Sequence, residues 1–140
     1  MNPDIQWKQW FQNFDSTLIL LRAAFSDRTL DDLSDLEQEG AIHRFKYTFE
    51  LAWKTLKDYL EESGVALQEV TPRNVIKEAF AVKILPDGQV WIDMMLHRNR
   101  LSHTYDPHIL KEALEAVIAR YLPALEELHA WLSEQSKKDE

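Results

Sequence analysis

Several residue types that common folds and reactions depend on are scarce or missing in this sequence. It has no cysteine, which excludes disulfide bonds, zinc sites built on thiolates and thiol nucleophiles. Three glycines and five prolines in 140 residues are few for an all-β protein, which needs many tight turns. No apolar run approaches the ~20 residues that span a bilayer, and the N-terminus MNPDIQWKQW lacks the pattern of a secretory signal. We therefore expect a cytoplasmic protein.

Basic charge is also in short supply, since 24 acidic residues outnumber 16 lysines and arginines and give a net charge of −8. The excess is confined to two stretches: residues 27–39 carry a net charge of −5, and residues 126–140 carry −3. Residues 41–103 contain nine basic and eight acidic side chains, together with three of the five histidines. The acidic total therefore leaves room for a local site that binds an anion such as nucleic acid.

Hydrophobic side chains are abundant, at 45% of the residues, and they recur at helical spacing. In residues 4–24 the apolar positions fall three or four apart, which is typical of an amphipathic helix. A cap followed by proline, at Thr71-Pro72 and at Asp106-Pro107, marks two further helix starts. In chain order the later helices are predicted over residues 39–62, 71–83, 89–102 and from 107 onward.

Five helices with short connections and no alternating strand pattern predict an all-α fold. We expect an up-and-down antiparallel bundle of about five helices with a core like that of a four-helix bundle. Residues 1–135 form one predicted domain, and residues 136–140 are expected to be a disordered tail. The acidic stretch 27–39 is expected to be a loop. Pro123 should kink the last helix, because it removes a hydrogen bond to the carbonyl of Ala119.

The second predicted helix is apolar on more than one side. Besides its main apolar face, it carries Tyr47, Leu51 and Thr55 on a neighbouring face. Two interpretations fit this pattern: the helix is central in one bundle, or the extra face also forms a dimer interface.

The stretch HRNRLSHTYD gathers an unusual set of polar side chains at the end of the fourth predicted helix. This set suits a phosphodiester. Arg98 offers a planar, permanent cation for phosphate oxygens, and His103 can act as general base or acid at neutral pH. Asn99 would position the phosphate as a hydrogen-bond donor, and Ser102 belongs to the same candidate binding set. Tyr105 would stack on a base or donate a hydrogen bond to phosphate.

No paired carboxylates suited to Mg²⁺ accompany this cluster, so attack by an RNA 2′-hydroxyl without metal or cofactor fits better than two-metal hydrolysis. Arg98 and His103 lie five positions apart, about 140° around an ideal helix. They converge only if the helix loosens near His103 or if two chains share the site. The alternative interpretation is that these side chains have only a structural role, because the helix dipole favours Arg and His near the C-terminus of a helix. The following side chains are expected at the surface or without a part in chemistry: His97, Arg100, His108, His43, His129 and the ion pair of Glu50 with Lys54.

The segment RNRLSHTY resembles the Arg-x4–6-His signature of the HEPN superfamily, with Arg98, His103 and a trailing Tyr105. Four further stretches are similar to the nucleotidyltransferase substrate-binding branch of that superfamily: residues 44–54, 71–73, 77–80 and 91–98. The resemblance implies a homodimer with the Arg and His of both chains lining a cleft at the interface. It also implies metal-independent RNA cleavage and a partner minimal nucleotidyltransferase, in a toxin–antitoxin pair. In some such systems the partner adenylylates the motif tyrosine, here Tyr105.

Two functions therefore compete. One is an endoribonuclease toxin in which Arg98, His103 and Asn99 are catalytic and Tyr105 is the modification site. The other is a non-catalytic subunit that binds a nucleotide or substrate and presents it to a nucleotidyltransferase. In the second case the acidic stretch 27–39 is either a docking surface for a basic patch on that partner or a solvated loop. A purely structural role for the motif is the third interpretation.

Overall fold

A computed structural model describes the backbone of residues 3–103 and 106–138, and the side chains from residue 6 onward within those ranges. The described ranges are helical and contain no strand, which confirms the all-α prediction. The helices are α1 Pro3–Ala24, a 3-10 turn Leu30–Asp32, α2 Asp35–Glu62, α3 Pro72–Ala81, α4 Gly88–Leu101, α5 Pro107–Ala116, a π-helix Val117–Tyr121 and α6 Leu122–Lys138. The last three elements follow one another without a loop and together form the fifth predicted segment. No helix in this part of the chain is long and apolar enough to cross a membrane.

The acidic stretch is more ordered than predicted, because α2 begins inside it, at Asp35. The Glu37 N–H donates to Ser34 Oγ at 3.1 Å, and the Ser34 N–H donates to the Glu37 carboxylate at 2.9 Å. This reciprocal cap satisfies two helix-end donors, and an acidic first turn suits the helix dipole. The hydrogen bond from the Ser34 backbone, followed by that from Arg28, lowers the pKa of Glu37 to about 2. The prediction of a loop over all of residues 27–39 is therefore wrong for its last five residues.

The two predicted cap-and-proline starts are present. The Asn74 N–H donates to Thr71 Oγ1 at 3.2 Å, and the His108 N–H donates to Asp106 Oδ1 at 2.9 Å. Pro72 and Pro107 each open the helix that follows. These caps fix the first residues of α3 and α5, the helices that precede and follow α4 in the chain.

Helix α2 is the centre of the bundle and packs against α1, α3, α4 and α5. Thr55, predicted to share a face with Tyr47, is fully buried, and its hydroxyl donates to the Leu51 carbonyl at 2.7 Å. Tyr47 is 56% exposed. The structure thus supports a central α2, and a dimer interface on its exposed side stays a prediction. The large apolar side chains that α2 adds to the core are Phe45, Phe49, Leu56 and Leu60.

The fifth predicted segment departs from a regular α-helix near Pro123, as expected. Proline has no N–H for the carbonyl of Ala119, and the π-helix Val117–Tyr121 lies just before it. Helix α6 then runs to Lys138, with two lysines in its last turn, where cations suit the dipole. The prediction of a disordered tail over 136–140 is therefore not met for residues 136–138. Residues 139 and 140 lie outside the described part of the chain.

Candidate functional site

The end of α4 carries the predicted motif, and the helix stops inside it. Helix α4 begins after Asp87, whose carboxylate accepts hydrogen bonds from two N–H groups of the first turn. It ends at Leu101, and both the N–H and the hydroxyl of Ser102 donate to the Arg98 carbonyl, at 3.2 and 3.1 Å. The next N–H, of His103, donates to the Arg100 carbonyl at 3.1 Å. The α-helix therefore ends between Arg98 and His103, which is one of the two conditions under which they could converge.

The Arg98 guanidinium is held against α2 but has few hydrogen-bond partners. Its side chain is 23% exposed, and its Nη2 lies 3.5 Å from Glu50 Oε2. Its Cζ lies 5.3 Å from the centroid of the buried Phe49 ring, a favourable cation–π arrangement. The Nε of Arg98 is buried without a hydrogen-bond partner. The contact of Arg98 with Glu50 is long, so the positive charge of the guanidinium is only partly offset and favours an incoming anion.

Glu50 is the carboxylate that links α2 to this arginine. The Trp53 indole N–H donates to Glu50 Oε2 at 3.1 Å, and Lys54 Nζ lies 3.4 Å from Glu50 Oε1. The predicted Glu50–Lys54 ion pair is present, but the assignment of this pair to the helix surface alone is incomplete. The same carboxylate also contacts Arg98 and belongs to the candidate site.

These residues line a pocket between α1, α2 and the end of α4, with a volume of about 470 Å³. Its lining contains three cations, one carboxylate, two large aromatic rings and three further side chains: Lys46, Lys54, Arg98, Glu50, Trp10, Tyr47, His43, Leu51 and Ser102. An adjoining pocket of about 230 Å³ shares His43, Lys46 and Ser102 with it. The excess of cations makes the pocket attractive to an anionic ligand.

The predicted site residues do not all line the pocket. Arg98 and Ser102 line it. Asn99 and His103 are both exposed at the end of α4 and are not among its lining residues. Tyr105 lies outside the described residues. The structure thus joins two of the predicted residues in one pocket and leaves two others outside its lining.

Sequence reasoning from the α4 motif missed the contribution of α2 to this pocket. His43, Lys46, Tyr47, Glu50 and Lys54 recur three or four positions apart and so share one face of α2, a signal that was visible in the sequence. The spacing alone does not indicate which other helix this face of α2 would contact.

Two histidines have structural partners that the sequence did not indicate. His97 is half-buried rather than a surface residue, and its Nδ1 is hydrogen-bonded to the Tyr121 hydroxyl. Burial lowers the pKa of His97 and raises the pKa of Tyr121 to about 12. His129 Nε2 lies 2.7 Å from Asp15 Oδ1 and ties α6 to α1. Both histidines therefore help to hold the bundle around the site.

Within residues 3–103 and 106–138, no group of three or more histidine and carboxylate side chains is placed to hold a metal ion. The groups that could bind a ligand here are the cations and rings of the pocket. They can bind a phosphate and stack on a flat ring.

Comparisons with known proteins identify relatives over most of the chain. Residues 9–134 match the model of the family described as nucleotidyltransferase substrate binding protein like. The chain is 26% identical over 104 residues to the "Probable ribonuclease HepT" of Haemophilus influenzae, covering 69% of this chain and 68% of that protein. It is 32% identical to a Thermus thermophilus protein of known crystal structure, with a TM-score of 0.70 and coverage of 82% of this chain and 94% of that one. The family match includes both the α2 face and the α4 end that form the pocket.

Proposed function

This chain belongs to the nucleotidyltransferase substrate binding protein like family, within the HEPN superfamily, and we propose that it is a metal-independent endoribonuclease. The observation that carries this proposal is the Arg98 guanidinium, which lines a cationic pocket, has only a long contact with Glu50 and lies five residues before His103. The printed name of the Haemophilus influenzae relative, a probable ribonuclease, supports the same activity.

In the proposed reaction Arg98 binds the non-bridging oxygens of the scissile phosphate and offsets the charge that grows on them. His103 acts as general base and takes the proton of the RNA 2′-hydroxyl, whose oxygen forms a new bond to phosphorus. The bond from phosphorus to the 5′-oxygen breaks, and that oxygen takes up a proton from an imidazolium. The products are a 2′,3′-cyclic phosphate and a free 5′-hydroxyl. Asn99 positions the phosphate as a hydrogen-bond donor, while Ser102 and Tyr105 complete the substrate contacts.

Two copies of the chain are part of the proposal. In a homodimer, the Arg98 and His103 of one chain face those of the other across a cleft. One His103 then removes the 2′-hydroxyl proton, while the other, in its protonated form, donates a proton to the leaving 5′-oxygen. A minimal nucleotidyltransferase is the proposed second partner, in a toxin–antitoxin arrangement, and the family description supports such an association. Adenylylation of Tyr105 would add bulk and negative charge to the motif and oppose the binding of a phosphate.

A second candidate is a non-catalytic subunit that binds a nucleotide and presents it to the nucleotidyltransferase. The position of His103, exposed and outside the pocket lining, favours this alternative. The cationic pocket suits both functions, so a test must separate binding from cleavage.

Cleavage of labelled RNA in excess EDTA is the test. We expect the parent protein to cut the RNA, and we expect His103→Ala and Arg98→Ala to reduce the rate at least ~100-fold, the usual contribution of such groups. Matched controls are His108→Ala and Arg100→Ala, because both side chains are exposed and neither lines the pocket.

The comparison of RNA binding with RNA cleavage separates the two functions. If the protein is a ribonuclease, the His103→Ala variant should still bind RNA but should not cleave it. Absence of cleavage by the parent at every salt concentration would leave only the binding subunit. Equal cleavage by the parent and His103→Ala would contradict the role given to that histidine.

A further inference from the structure

The pocket has an aromatic end that the proposed chemistry does not use. Tyr47 lines it and is 56% exposed, although large aromatic side chains are usually mostly buried. The ring of His43, one turn earlier on α2, meets the Tyr47 ring at 5.3 Å between centroids, inclined by 62°. With more than half of its side chain exposed, Tyr47 offers aromatic surface that a flat ligand could cover.

This aromatic end lies next to the phosphate-binding end. Glu50, which contacts Arg98, follows Tyr47 by three positions, so the two side chains are neighbours about one turn apart on the same face of α2, ~5 Å along its axis. Lys46 and Lys54 line the same pocket. An aromatic ring and cations in the lining of one pocket suit a ligand with a flat base and a phosphate, which is a nucleotide.

We propose that Tyr47 is a base-stacking subsite, and that the pocket takes an unpaired nucleotide whose phosphate lies on Arg98. The identity of the ligand as RNA rests on the proposed function. Bases inside a duplex are already stacked on both faces, so this subsite makes the single-stranded form the preferred substrate. Stacking on a tyrosine accepts any base, so Tyr47 contributes affinity and little base specificity.

A second copy of the chain is the competing occupant of this surface. In the proposed homodimer the Arg98 side chains of the two copies face each other across a cleft, so the pocket cations Lys46, Lys54 and Arg98 of both copies repel one another unless a negative charge lies between them. An anionic nucleotide supplies that charge, whereas direct contact between two Tyr47 side chains does not. Charge therefore favours the nucleotide as the group that covers Tyr47.

Fluorescence anisotropy with a short labelled single-stranded RNA tests the subsite, in EDTA and in a His103→Ala background so that no RNA is cut. Tyr47→Ala should weaken binding about tenfold, within the range for one base–aromatic stack. Tyr47→Phe keeps the flat ring and should bind within about twofold of the parent. Phe80→Ala is the matched control, because Phe80 is 48% exposed on α3 and does not line the pocket. A duplex of the same sequence should be almost insensitive to Tyr47→Ala.

Three results would overturn the subsite. The first is that Tyr47→Ala binds single-stranded RNA as tightly as the parent. The second is that Tyr47→Ala loses as much affinity for the duplex as for the single strand. The third is that Tyr47→Ala changes the oligomeric state measured by light scattering, which would assign Tyr47 to an interface between copies. Failure of the ribonuclease proposal gives a different pattern. In that case the parent does not cleave, yet Tyr47→Ala still weakens single-strand binding. Conversely, if the parent cleaves and Tyr47→Ala leaves both Kd and KM unchanged, the subsite fails and the ribonuclease stands.

Discussion

Replacing Glu50 with glutamine should tighten the binding of RNA rather than weaken it. Glu50 contacts both Arg98 and Lys54, at 3.5 and 3.4 Å, so it occupies the cations that an incoming phosphate needs. Glutamine keeps an oxygen that can accept the Trp53 indole hydrogen bond but removes the negative charge. The substitution therefore isolates the electrostatic part of the contact.

The size of the effect follows from the geometry. A phosphate and the Glu50 carboxylate that share one guanidinium stand roughly 6 Å apart, each about one charge-assisted contact from the cation. At that separation two unit charges repel by roughly 1.4 kcal/mol with an effective dielectric constant of about 40, between the protein-surface and bulk-water values. Salt screens part of this repulsion. We expect binding to tighten by about three- to tenfold, since ~1.4 kcal/mol corresponds to a factor of ten.

The assay is anisotropy of a labelled single-stranded RNA in the His103→Ala background, at low and at high salt. Glu61→Gln is the matched control, because Glu61 pairs with Lys57 at 2.8 Å with the same i,i+4 spacing on α2 and does not line this pocket. The gain from Glu50→Gln should shrink as salt rises, while Glu61→Gln should leave RNA affinity unchanged. Unchanged or weaker binding by Glu50→Gln would refute the reasoning, since Glu50 would then hold Arg98 in place rather than compete with the ligand.

Two further predictions concern His97 and Tyr105. Burial holds the pKa of His97 below its ordinary 6.5, so below that pH the unfolded chain takes up a proton that the folded protein resists. The free energy of unfolding should therefore fall as the pH drops through about 6.5, and urea titrations should show a shallower fall in His97→Gln. For Tyr105, intact mass after co-expression with a minimal nucleotidyltransferase should rise by one AMP unit, and Tyr105→Phe should show no increase. An added AMP that persists in Tyr105→Phe would place the modification elsewhere.

The elements of this fold were largely predictable because they depend on local rules. Apolar spacing located the helices, and proline after a capping residue marked the starts of α3 and α5. Helix α2 begins earlier than predicted, because Ser34 and Glu37 form a capping box within an acidic stretch whose composition also suits a loop. Helix α6 ends later than predicted for a similar reason, since lysines suit the last turn of a helix as well as a solvated tail.

The candidate site was predictable only in part, because it needs two helices that are distant in sequence. The motif identified Arg98 as a candidate site residue, and the i,i+4 spacing predicted the ion pair of Glu50 with Lys54. The contact between Glu50 and Arg98 depends on how α4 crosses α2, which no local pattern determines. His97 shows the same limit, because its burial depends on Tyr121 in the π-helix of a later segment.

The packing of Arg98 explains how a protein with a net charge of −8 could bind RNA at one place. Its guanidinium rests on the Phe49 ring, and its Nε is already buried, so little side-chain freedom remains to be lost when a phosphate arrives. In the free protein Glu50 partly neutralises it at 3.5 Å, a distance too long for a strong hydrogen bond. A phosphate that approaches closely enough for two short hydrogen bonds can outcompete that contact. Residues 27–39 and 126–140 hold the acidic excess and would repel RNA, so binding would be local to the pocket where this arginine is held.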